Sequence, residues 1–208
     1  MPSKTSSVFP LIKDEAAFFK KYGRSWTINR NQDESIRRVF GAEIQLKEVS
    51  PQELTDFSRS IAGVFDLKPE DLEDVFQIDP LKKEGTISFI APQIHTGYPV
   101  VGGEVRFYVD VDRRKVTGID ASNVVHFEGS LKENVRPIDE IIALAKSEEA
   151  SLYITNQALS VIADQEQRPR LAYRGSTSPE NSITPKTETV YVDAQTGEVL
   201  RREPVTNH

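Results

Sequence analysis

The feature that most restricts the fold is a phrase written twice. Tyr108-Val109-Asp110, five residues and Val116 return near the end as Tyr191-Val192-Asp193, five residues and Val199. In the first copy Val105, Phe107, Val109 and Val111 alternate with Arg106, Tyr108 and Asp110, the period of a strand with one buried face. Asp112-Arg113-Arg114-Lys115 is too polar to bury, and Val116-Thr117-Gly118-Ile119 resumes a β-prone pattern, so the chain folds back as a hairpin. Gly102-Gly103 is placed to open that strand at a bulge or bend. In the second copy Gly197 supplies the turn residue. An isolated hairpin is marginal in water, so each copy needs more strands or a helix over its apolar face.

Helices stand at matching distances before the two hairpins. Ser50-Pro51-Gln52-Glu53 is a helix start, with a serine to cap, proline in the first turn and Glu53 to complete a capping box. Leu54, Phe57, Ile61 and Phe65 then fall on one helical face. Pro137 opens a second helix with Asp139 and Glu140 in its first turn, and Ile138, Ile141, Ile142 and Ala145 line one side. The pattern predicts an α+β fold in two halves, each a helix packed on a curved antiparallel sheet.

Around these anchors the remaining elements are shorter. Val8 to Ile12 reads as extended and Asp14 to Phe19 as a short helix. Trp26, Ile28 and Arg30 alternate as a strand that resumes at Val39-Phe40-Gly41 after a polar turn, with Trp26 as a core or edge anchor. Gly85 to Gln93 reads as a strand whose Pro92 confines its end to an edge or bend, and Asn123 to Phe127 as a strand that extends the sheet. Ala158 to Ala163 and Arg170 to Arg174 are strands around a turn at Asp164 to Pro169. Gly175 to Thr187 is a long hairpin loop, and Pro204 ends the final hairpin.

Composition sets limits on function. The chain has 208 residues, a formal charge of −6 and no cysteine. Acidity argues against nucleic-acid binding driven by phosphate contacts, and no apolar run reaches the roughly 18 residues of a membrane span. Met1 to Ser7 carries no apolar core of the kind a secretory signal needs. The three histidines, at 95, 126 and 208, form no H-E-x-x-H pair. Asp110-Val111-Asp112 begins like a calcium loop, but Arg114 takes the next ligand position. Neither a phosphate loop nor a G-x-S-x-G elbow is present. The expectation is a protein without catalytic residues, bound metal or cofactor. Arg37-Arg38, Arg113-Arg114-Lys115 and Arg201-Arg202 read as solvated turn residues.

The residues resemble the prosegment of thermolysin-like and fungalysin-like secreted zinc metalloproteases. Trp26 to Arg30 with Arg37 to Gly41 is similar to the opening phrase of such prosegments. Ile61 to Val75, Gln93 to Val100 and Gly103 to Gly118 resemble the fungalysin/thermolysin propeptide motif, with Asp112 to Lys115 in place of a glycine-containing turn. Arg170 to Arg174 with Val192 to Leu200 resembles a PepSY domain. The resemblance implies two cystatin-like halves: residues 1–48 as an N-terminal extension and prosegment start, 49–128 as a fungalysin/thermolysin-propeptide-like domain, and 129–208 as a PepSY-like domain. It implies a non-enzymatic inhibitor and folding assistant that blocks a metalloprotease cleft until processing, acting on the catalytic domain in cis or in trans. A secreted or periplasmic location goes with it. By the same resemblance Val205, Thr206, Asn207 and His208 are the processing end that contacts the cleft. The alternative is a free-standing cystatin-like binding module with a non-protease partner.

Overall fold

The computed structural model describes residues 9–78, 85–148, 151–177 and 188–205. The fold is α+β, and contacts divide it into two units: Met1–Gly97 with Gly102–Val124, and Tyr98–Val101 with Val125–His208.

In the first unit α1 (Glu15–Tyr22) leads to β1 (Thr27–Arg30) and β2 (Ile36–Gln45). The helix α2 (Pro51–Ile61) is followed by two short 3-10 turns, then β3 (Phe76–Gln77), β4 (Thr86–His95), β5 (Tyr98–Asp110) and β6 (Lys115–Asp120). The pairing order is β1-β2-β6-β5-β4-β3. Of the segment read as an N-terminal extension, residues 9–48 furnish α1, β1 and β2, together with the core residues Phe9, Ile12, Phe18 and Trp26.

Local chemistry accounts for α2. Ser50 Oγ accepts from the Glu53 amide at 3.2 Å. The Glu53 carboxylate does not return to Ser50 as a capping box would; it accepts from the amides of Lys47 and Glu48, both at 2.7 Å, and so fixes the turn that enters the helix. Leu54, Phe57 and Ile61 are fully buried, and the Phe57 ring meets Phe107 of β5 edge-on with centroids 5.8 Å apart. Trp26 stacks edge-on to Phe18 at 5.7 Å, which makes it a core anchor.

The second unit contains α3 (Ile138–Glu148), β7 (Leu152–Ala163), β8 (Pro169–Thr177), β9 (Glu188–Asp193) and β10 (Val199–Pro204). The strands from β7 to β10 pair antiparallel in sequence order, and Val100, at the start of β5, pairs in parallel with Val161 of β7. Ile141 and Ala145 of α3 are buried with Leu171, Val190 and Val192.

Three expectations need correction. Asn123 to Phe127 is not a strand: Asp120 accepts from the Ser122 amide and Val124 donates to the Ala121 carbonyl, so the chain turns out of the sheet. Gly102-Gly103 does not open a strand, because β5 runs through it from Tyr98; Gly102, at φ 73°, is a bend inside the strand. The long loop from Gly175 is shorter at its start, since Gly175 to Thr177 belong to β8 and residues 178–187 lie outside the described residues.

Arg38 shows how the basic clusters are used. Its guanidinium donates to Asp120 Oδ2 at 3.1 and 2.5 Å. Burial pushes the Asp120 carboxyl up, but hydrogen bonds from Ser122 and Arg38 outweigh it and hold the group below its usual range. Its contribution is therefore complete above the unfolded value of about 3.9 and is lost as pH falls through the folded value. Asp120→Asn should cost about 1–2 kcal/mol near neutral pH, allowing for the half-exposed arginine. Urea denaturation should find the variant and parent converging as the pH falls below the folded value, and a gap that persists in acid would assign the loss to something other than this charge.

Candidate functional site

The two hairpins carry the same detail at their turns. Val109 pairs with Val116 and Tyr108 with Gly118, leaving Thr117 as an extra residue. Val192 pairs with Val199 and Tyr191 with Arg201, leaving Leu200 as the extra residue. Both are β-bulges at the same place, which bend the ribbon and increase its twist. Each aspartate also caps its own turn: Asp110 Oδ1 accepts from the Arg113 amide at 2.9 Å, and Asp193 Oδ1 from the amides of Gln195 and Thr196 at 2.8 Å.

They differ in what surrounds the turn. In the first, Arg114 takes the left-handed conformation at φ 52°, and Arg113 and Lys115 both reach Glu43. That turn is a solvated charge network. In the second, Gly197 sits at φ 80°, and a Cβ added there would lie 2.6 Å from Leu144 Cβ of α3, so only glycine lets the helix approach. Asp193 is 1% exposed and its Oδ2 accepts from Arg170 at 2.7 Å.

The hairpin continues into the residues expected to contact a partner. β10 pairs only with β9 among the described residues, so it is a sheet edge. Arg201 and Arg202 are exposed on it, paired with Glu203 and Glu188 respectively. Pro204 ends the strand and has no N–H to offer a neighbouring chain, and with the charges it guards the edge against unspecific strand addition. Tyr191 lies beneath, its hydroxyl 3.4 Å from Glu203 Oε2. Burial, and then the charge of Glu203, push the Tyr191 phenol up, so it stays neutral in the physiological range. Val205 follows, 47% exposed. Thr206, Asn207 and His208 lie outside the described residues.

Residues 137–203 match the PepSY family model, described as the peptidase propeptide and YPEB domain. The match runs from the start of α3 nearly to the end of β10. PepSY domains are non-catalytic regulatory domains associated with peptidases, typically extracellular or periplasmic. No curated protein matches the chain in sequence. Among solved structures, the C-terminal domain of Bacillus megaterium YpeB is similar over 88% of this chain and 76% of that one, at 14% identity and a TM-score of 0.42. Among the described residues no helix is long and apolar enough to cross a membrane, and no group of three or more His, Cys, Asp or Glu is arranged to hold a metal ion.

Sequence reasoning missed the separation between the two capped turns. The paired aspartates were visible as a repeat, but burial of one of them depends on Arg170, which comes from another strand. Asp193→Ala should cost about 2–3 kcal/mol, because it removes the buried acceptor of two amides and a guanidinium. Asp110→Ala, at a wetter turn, should cost less than about 1 kcal/mol. Urea denaturation of the two variants gives the comparison, and equal losses would mean that the turns are energetically alike.

Proposed function

We propose that the chain is a propeptide-type inhibitor and folding assistant of a thermolysin-like zinc metalloprotease, which it keeps closed until processing. The PepSY match over residues 137–203 carries this reading, because it ends on β10, an exposed edge strand that hands the chain directly to Val205. In this reading 49–128 is the fungalysin/thermolysin-propeptide-like domain and 129–208 the PepSY-like domain. The tail from Val205 through Thr206 and Asn207 to His208 lies along the active-site cleft.

Three properties favour such a role. The turn that starts β10 is held by a buried carboxylate and by close packing on α3, and the far end of the strand, where the tail leaves, is held by the pairing of Pro204 with Glu188. A tail that leaves from a fixed point has little orientational entropy left to lose on docking. The edge charges and Pro204 discourage other extended chains from adding to β10.

Tethering makes modest affinity sufficient. A covalently joined prosegment acts at an effective concentration of about millimolar, so an intrinsic micromolar affinity leaves roughly one molecule in a thousand open. Cleavage followed by dilution then frees the enzyme. The compartment follows the partner: secreted or periplasmic.

Mixing the purified chain with a mature thermolysin-like protease and following peptide hydrolysis tests the proposal. The expected result is saturable inhibition, weakened about tenfold or more by removal of Val205 to His208. A full-length chain that leaves hydrolysis untouched would overturn the inhibitor reading. Equal inhibition by both chains would keep the inhibitor but dismiss the tail.

A further inference from the structure

The second unit contains a cavity of about 190 Å³ where the turn between β7 and β8 meets the end of β9 and the segment before α3. Pro169 and Leu171 form its buried apolar part. The polar lining is more informative, because some of its groups are committed to the fold and others are not.

The carboxylates are the committed ones. Asp193 is satisfied on both oxygens, by two amides on one and by Arg170 on the other. Asp164 Oδ1 accepts from the amides of Glu166 and Arg168, while its Oδ2 faces Arg168 at 3.6 Å and Arg170 at 3.7 Å. Arg168 also donates to Glu166. Each guanidinium has five N–H groups, so both arginines retain donors after these contacts. The Lys132 ammonium forms no hydrogen bond or ion pair with any described residue, and neither do the side chains of Ser130, Asn134 and Gln195. What the fold leaves unspent around this cavity is a set of donors and the unpaired ammonium of Lys132, since Arg168 and Arg170 are already matched by Asp164, Glu166 and Asp193.

A ligand that fits must bring acceptor oxygens and negative charge. A dianion such as phosphate would be set against Asp164 and Asp193 at close range, whereas a single carboxylate matches the one unpaired ammonium, Lys132, and is suited to planar donation from a guanidinium. The volume corresponds to about six waters, enough for one acidic side chain and too small for a folded segment. We propose that this cavity receives the carboxylate of one aspartate or glutamate on the surface of the peptidase partner, giving the PepSY unit a second anchor besides its tail. The partner's identity as a peptidase rests on the function proposed above; the carboxylate site does not.

The test has two arms. In the first, the full chain labelled with nitrogen-15 is titrated with N-acetylglutamate methylamide and, separately, with its glutamine counterpart. The acid should shift the amide resonances of Gln195 and of residues 130–134 saturably, with an affinity on the order of millimolar, and the glutamine compound should not. Lys132→Gln should weaken the acid about tenfold, and added salt should weaken it too. Lys132 is exposed and unpartnered, so this variant keeps the fold. No shift with the acid, equal shifts with both compounds, or a titration indifferent to Lys132→Gln would each overturn the site.

In the second arm Lys132→Gln is compared with the parent as an inhibitor of the mature protease, and the inhibition constant should rise about tenfold. Glutamate binding with unchanged inhibition would overturn the docking role and make the occupant a free carboxylate. Glutamate binding by a chain that inhibits no such protease would remove the inhibitor reading and leave the carboxylate site standing.

Discussion

A two-stranded ribbon cannot keep one face dry by itself, and everything else in this protein answers that constraint. In the first unit Phe57 of α2 lies against Phe107 of β5, and both rings are fully buried. In the second Ile141 and Ala145 of α3 perform the same task with smaller side chains over Val190 and Val192. Fully burying a side chain of this kind contributes about 1.5–3 kcal/mol, so a few such residues per helix exceed anything the surface ion pairs supply. The helices are thus conditions for the hairpins to exist, and the bulged turn can then be spent on something other than stability.

The two copies spend it differently. At Asp110 the turn is open to solvent, and Arg113, Lys115 and Glu43 share charge above it. Such exposed contacts are weak and screened by salt. At Asp193 the same capping geometry has been drawn inside, and the cost of burying a carboxylate is offset by two amides and Arg170. A buried, fully bonded group is stiff. The turn that is stiff is the one that starts β10 and lines a cavity.

How far the sequence announces this can be judged residue by residue. The hairpins were legible because alternation over Val105 to Val111 and the repeat at Tyr191 are local signals, and α2 was legible because Ser50-Pro51 is a local cap. Elements whose shape depends on partners were not. The strand β7 was expected only from Ala158, because two register shifts against β8 between Ile154 and Leu159 break its alternation. Asn123 to Phe127 has strand-like composition, yet Val124 is packed with the first core while Val125 and Phe127 are packed with the second. No periodic face survives that division. The cavity was least legible of all, since Asp164, Arg170 and Asp193 converge from separate strand ends. The sequence offered only the Gly197 turn after Asp193, the turn at Asp164 to Pro169 and a strand from Arg170, each unremarkable alone.

A regulator that must let go after processing cannot rely on one strong contact. A tail in a cleft is removed by cleavage, but a broad apolar interface would remain occupied afterwards and would need a partner to peel it off. The surface around β10 and the cavity is built of arginines paired with carboxylates, a lysine, amides and a hydroxyl, with Val205 as the exposed apolar residue at its end. Contacts of that kind set orientation and encounter rate more than they set lifetime. In the proposed inhibitor, holding therefore falls to the covalent tether, and the polar surface sets how the tethered unit sits. Under that proposal, contacts on the order of millimolar by themselves dissociate on dilution once the tether is cut, which is the behaviour a temporary inhibitor requires.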